Sequence, residues 1–300
     1  MKVVAIGGGH GAAATLRAAL MYSDSVSAVV TVADDGGSSG RLAKELGVLP
    51  MGDIRNCLAA LAPDSLMVDM FQHRFEGGRL DGHAVGNLMI AAWMQETGSF
   101  IEAIRQAARM IGSRGRVVPP TMENVTLISE IEGERIEGQV AVATATGRIS
   151  YVALDPPDPK AYPEAIDLIS EADQIVLGPG SLFTSVIPNL LVPEVREAYL
   201  AAQGRKIFIC NLVAPAGETA DFDAAAHLAA LYAHLGEDCV DVVVAHEGTS
   251  PIAASPPVTV DKTAFERWEV SLIRSDFLPD DRSPRHDPAK LAAVLQKLTQ

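Results

Sequence analysis

Only three cysteines occur in 300 residues, Cys57, Cys210 and Cys239, an odd count with no C-x-x-C spacing. That excludes a disulfide framework and a zinc ribbon and leaves them as small core residues. A surplus of positive charge is missing too: 24 Lys and Arg face 38 Asp and Glu, a formal net charge of −14. Proteins that grip a phosphate backbone need a basic face that releases counterions, so nucleic acid is excluded as a partner. A small anionic ligand, held by local N–H dipoles and a few arginines, is not. No apolar run approaches the ~20 residues of a bilayer span, which excludes the membrane. Val3 to Ile6 alone separates Met1-Lys2 from the first glycines, too little for a signal-peptide core. The expected location is the cytoplasm. Low-complexity linkers and internal repeats are absent, and 300 residues suffice for one enzyme-sized domain over 1–300.

What is present is an α/β rhythm. Lys2 to Ile6 reads as a buried strand, Ala12 to Leu20 as a helix, and Ser27 to Ala33 as a second strand. Asp53 is placed to N-cap a helix whose stripe is Ile54, Cys57, Leu58 and Leu61. A helical region from about Asp81 to Met110 breaks near Gly98. It carries Val85, Leu88, Met89 and Ala92 on one side, with His83 and Asn87 four residues apart on another. From Arg116 to Leu154 β-branched residues alternate, as in Val125–Ile128 and Gln139–Val142, with turns at Gly133 and Gly138, which predicts an antiparallel β insertion over 116–154 outside the ligand crevice. A helix over 160–172, strands at 174–177, 206–210 and 240–245, and a helix over 224–235 restore the α/β order. Asp287 and Pro288 open a closing helix. The fold class is α/β, a Rossmann-like doubly wound, mostly parallel sheet.

Two glycine clusters carry the chemistry. Gly7-Gly8-Gly9-His10-Gly11, between strand and helix, fits G-x-G-x-x-A and lets the backbone approach a pyrophosphate. Gly178-Pro179-Gly180-Ser181 is a second phosphate-type loop, with Ser181, Thr184 and Ser185 at i, i+3, i+4, followed by Pro188 and Asn189. Between them lies Asp34-Asp35-Gly36-Gly37-Ser38-Ser39, where carboxylates suited to a ribose or a divalent cation lead into exposed N–H groups and hydroxyls. Asp34 and Asp53 together form a candidate Mg2+ site. Arg55 and Asn56 fall off the apolar stripe of their helix and are free to reach a ligand, and Arg285 is a candidate phosphate clamp.

These motifs, with Gly52–Cys57, Gly82–Leu88 and the Arg285-His286-Asp287 tail, resemble the YvcK proteins, or gluconeogenesis factors, of the CofD-like superfamily. The resemblance implies a UDP-sugar-binding regulator, for a ligand like UDP-N-acetylglucosamine, that directs carbon toward cell-wall precursors and is needed for cell shape on gluconeogenic carbon sources. It brings Gly8, Gly9, His10, Gly11, Asp34, Asp35, Ser38, Ser39, Arg55, Asn56, His83, Asn87, Gly178, Gly180, Ser181, Thr184, Ser185, Asn189, Asn211 and Arg285 into one ligand site. A homo-oligomer and a regulated enzyme of amino-sugar synthesis are the expected protein partners. Two positions depart from the family pattern: His10 stands where threonine is usual, and Asn211-Leu212-Val213-Ala214-Pro215 lacks polar residues near its end. Two other readings stay open, a CofD-like 2-phospho-L-lactate transferase using a nucleotide-diphosphate carrier and divalent cation, and an NAD-binding oxidoreductase.

Overall fold

The computed structural model describes residues 1–214, 217–248, 252, 256–281 and 283–299. The chain begins β1 (Lys2–Gly7), α1 (Gly9–Ala19), β2 (Ser25–Val30), α2 (Gly37–Leu46), α3 (Gly52–Ala60), α4 (Leu66–Gln72), α5 (Val85–Thr97), α6 (Phe100–Ile111) and β3 (Arg116–Val118). It continues with β4 (Thr126–Ile131), β5 (Glu134–Glu137), α7 (Gln139–Thr144), β6 (Ile149–Asp155), α8 (Pro163–Ser170) and β7 (Gln174–Leu177). A π-helical segment, Leu182–Val186, then leads through α9 (Ile187–Leu190), α10 (Pro193–Ala201), β8 (Arg205–Ile209), α11 (Ala224–Leu235), β9 (Val242–His246) and β10 (Ser271–Ser275) to α12 (Pro288–Lys297).

Seven strands form one sheet in the order β10-β9-β8-β7-β1-β2-β3, every neighbouring pair parallel. Parallel strands covered on both faces must be apolar on both. β1 shows this: Val3 and Ala5 join one hydrophobic core, Val4 and Ile6 the other. The chain winds from β1 outward through β2 to β3, then returns to β7 on the other side of β1 and winds away. The order therefore reverses between β1 and β7, and open α/β sheets bind ligands beyond the carboxyl ends of strands at such a point.

The doubly wound parallel sheet agrees with the sequence; several elements differ from it. β3, Arg116–Val118, pairs in parallel with β2 at the edge of the main sheet, so the antiparallel β5-β4-β6 sheet begins only at Thr126. Gln139–Val142 is helical, in α7, with Val142 its buried residue. α2 forms where a loop of glycines and hydroxyls was expected; Ser38, Ser39, Gly40 and Leu42 are its buried residues. The buried face of α5 is Gly86, Asn87, Ile90 and Ala91, while Ala92 is exposed. Asp53 is not an N-cap: that position is Met51, and Asp53 sits in the first turn. β10 and α10 had no expectation at all. No described helix is long and apolar enough to cross a membrane.

Candidate functional site

The two glycine loops meet at the switch point. A Cβ on Gly11 would collide with the Pro179 carbonyl, and one on Gly8 with the Asp53 carboxylate, so both positions need glycine for close approach. Asn211 holds the second loop from the end of β8: its Oδ1 accepts from the Gly180 N–H and its Nδ2 donates to the Gly180 carbonyl, both at 2.9 Å. Thr15 of α1 donates to the Gly178 carbonyl at 2.7 Å. The expectation that both loops face one crevice is met geometrically: a cavity of about 220 Å³ is lined by His10, Gly11, Gly180, Ser181, Asn211 and Arg285.

A larger cavity of about 510 Å³ adjoins it, sharing His10, Ala14, Arg285 and His286. α1 turns one helical face toward it, His10, Ala13, Ala14 and Arg17, and Arg55, Asn56, Arg74, Arg285 and one carboxylate residue, Asp287, also line it. None of these four arginines lies within 4.0 Å of a described carboxylate or joins an ion pair. Four guanidinium groups around one cavity, in a chain of net charge −14, form a local anion site of the kind a phosphorylated ligand needs. His10 feels them all. Burial first, then Arg285, Arg55, Arg74 and Arg17, push its imidazole below the ordinary value and keep it neutral. Burial and Arg74 likewise lower the Arg55 guanidinium to about 10, against the pull of Asp53.

Behind this rim a buried network fixes Arg55. Its Nε donates to Asn87 Oδ1 at 2.9 Å, its NH2 donates to Asn56 Oδ1, and Asn87 Nδ2 donates to Ser38 Oγ at 3.1 Å. Ser38 Oγ also meets His83 Nδ1 at 3.1 Å. Ser39 Oγ accepts from the N–H groups of Met51 and Gly52. Ser38, Ser39, His83 and Asn87 are therefore framework beneath the site, tying α2, α3 and α5 together.

The acidic wall differs in character. Asp34 accepts from the Gly36 N–H at 2.9 Å; burial, with Asp35, raises its carboxyl. Burial first, then the neighbouring Asp34, raise the Asp53 carboxyl to about 6, against the opposing pull of the Gly9 N–H. Two carboxylates that disfavour each other's charge in a buried corner suit a hard divalent cation such as Mg2+, which would take an oxygen from each. Asp35 points elsewhere and accepts from the Val140 N–H of α7 at 2.9 Å. α7 therefore abuts the acidic loop through Asp35, while no residue of 116–154 lines either of the two cavities.

Along the π-helical segment, Thr184 and Ser185 are buried, with the Ser185 side chain against Gly8. Asn189 is fully buried and spends its Nδ2 on the carbonyls of Ser185 and Val186, so it shapes the segment and lines neither cavity. Pro215 lies outside the described residues. The sequence reading missed Arg17, Arg74 and Glu218. Arg17 stands seven residues after His10 on the same helix face, a spacing visible in the sequence; Arg74 and Glu218 sit in irregular segments with no motif around them.

A family model described as 2-phospho-L-lactate transferase CofD matches residues 3–278. A Bacillus subtilis protein named gluconeogenesis factor is 39% identical, over 99% of this chain and 98% of its own length. One of the same name from Halalkalibacterium halodurans is 40% identical, over 98% of this chain and 95% of its own length. A crystal structure of a Bacillus halodurans protein superposes with a TM-score of 0.92 at 39% identity, covering 98% of both chains.

Proposed function

The chain belongs to the CofD family, in its gluconeogenesis-factor branch, and from that premise we propose that it binds a nucleotide-diphosphate sugar such as UDP-N-acetylglucosamine. The pyrophosphate sits over the paired glycine loops, with Arg17, Arg55, Arg74 and Arg285 around it. The observation that carries the reading is those four arginines converging on one cavity without a carboxylate partner, beside two loops whose glycines bare the backbone. The residues supply binding and orientation: Asn211 holds the Gly180 peptide, and neutral His10 offers a hydrogen bond rather than a fifth positive charge. As a cytoplasmic protein of this kind it signals the sugar-nucleotide level to a partner enzyme of amino-sugar synthesis and so directs carbon toward cell-wall precursors.

A second reading has its own support in Asp34 and Asp53. A divalent cation between them would neutralise charge on a diphosphate and favour transfer of a phosphate-bearing group such as the 2-phospho-L-lactate in the name of the family model. Asp34 and Asp53 would hold that cation, and the arginines would hold the phosphates in either case. Calorimetric titration with UDP-N-acetylglucosamine, GDP and NAD, each with magnesium and with a chelator, separates the readings. Saturable binding of the UDP-sugar that persists in chelator supports the regulator. Tight, magnesium-dependent binding of GDP alone supports the transferase, and NAD binding alone overturns both.

A further inference from the structure

Glu218 is buried in a way a carboxylate seldom is. It is 4% exposed, and neither oxygen has a hydrogen-bond partner among the described residues. The Thr184 and Ser181 hydroxyls and the Phe183 N–H stand around it, but none closes into a hydrogen bond, and the hydroxyls of Thr184 and Thr219 are themselves buried and unpartnered. An unpaired carboxylate removed from water is strongly disfavoured. These groups together call for a polar partner from outside the chain.

The surroundings say what kind. Glu218 lies on the wall of a cavity of about 820 Å³ between residues 143–148, which join α7 to β6, and residues 217–226 at the start of α11. Thr144, Thr146, Arg148, Asp221 and Phe222 share that wall. Carboxylates accept from hydroxyls, a guanidinium and hydroxyls donate to ring and acetyl oxygens, and an aromatic face packs against C–H groups. That is the donor and acceptor set of a site for a polyhydroxylated ring. The position is equally telling, because Ser181, which stands beside Glu218, also lines the small cavity between the glycine loops. One side chain separates the carboxylate from the phosphate loop.

We infer that this cavity is the subsite for the sugar carried on the diphosphate, with Glu218 accepting hydrogen bonds from its hydroxyls. The inference rests on the nucleotide-sugar reading, and it assigns to the β insertion a direct part in binding. The test compares wild type, Glu218→Gln and Ala226→Leu, in which the second variant narrows the cavity from α11 without removing a polar group. Each is titrated with UDP-N-acetylglucosamine and UDP by calorimetry and with free N-acetylglucosamine by saturation-transfer NMR. Both variants are expected to weaken UDP-N-acetylglucosamine about tenfold or more and to leave UDP unchanged. Equal weakening of UDP and the UDP-sugar in Glu218→Gln would make Glu218 a support of the phosphate loop and overturn the inference, as would unchanged binding of both in both variants. If wild type binds neither nucleotide yet transfers saturation to the free sugar, and both variants abolish that transfer, the subsite stands and the nucleotide reading is overturned. Binding of none of the three would overturn both.

Discussion

The two walls of the crevice handle charge in opposite ways. On one side Arg17, Arg55, Arg74 and Arg285 line an open cavity, none of them in an ion pair among the described residues. On the other, Asp34 and Asp53 are half-buried and raised above the ordinary carboxyl range, chiefly by loss of water. Water solvates the guanidinium groups until an anion replaces it, whereas the carboxylates carry their charge at a cost until a cation or a ribose hydroxyl relieves them. The arginine wall is thus ready before the ligand arrives, and the acidic wall is completed by it.

The largest effect is expected from the arginine wall. Arg55→Ala and Arg285→Ala should each cost about 1.5–3 kcal/mol of UDP-N-acetylglucosamine affinity, so the double variant should lose two decades or more in calorimetry. Retained affinity in the double variant would remove the anion site. The acidic wall predicts a stability effect instead. Asp53 has a folded-state value raised to about 6 from 3.8, so its contribution favours the folded state below the unfolded value and is lost as pH rises toward 6 and above. Asp53→Asn should therefore stabilise the ligand-free protein at pH 7 by on the order of 2–3 kcal/mol and flatten its stability profile between pH 4 and 6, read by urea unfolding against wild type. A variant less stable than wild type at pH 7 would break the contrast between the walls.

The same pair sharpens the choice between ribose and metal. With Asp34→Asn, an affinity loss of about one to two decades that is the same with magnesium and with chelator marks a hydrogen bond to ribose. Loss of a magnesium dependence present in wild type marks a cation held with Asp53. The smallest effect belongs to the framework: Asn87→Ala strands Arg55 Nε and removes a donor from Ser38, and should cost about 1–2 kcal/mol in urea unfolding with a minor change in binding.

Sheet class, both glycine loops and the residues around Asp34 were legible in the sequence because each rests on local chemistry: apolar strand runs, glycines at turns, carboxylates before them. Helix α7 was not. Its Gln139–Val142 segment alternates like a strand, and only tertiary context, Asp35 accepting from the Val140 N–H, decides it. Ser38 and Ser39 read as ligand hydroxyls because a sequence does not show that His83, Asn87, Met51 and Gly52 would claim them. Arg74 and Glu218 depend on contacts between segments far apart in the chain, which no spacing encodes.

The strand order also bears on synthesis of the chain. β1 pairs with β2 on one edge and β7 on the other, so its second edge stays open on the ribosome until Gln174–Leu177 has emerged. The loop at Gly7–Gly11 is made before its counterpart at Gly178–Ser181, which follows only once β7 has been made. No partly synthesised chain that lacks β7 presents both loops.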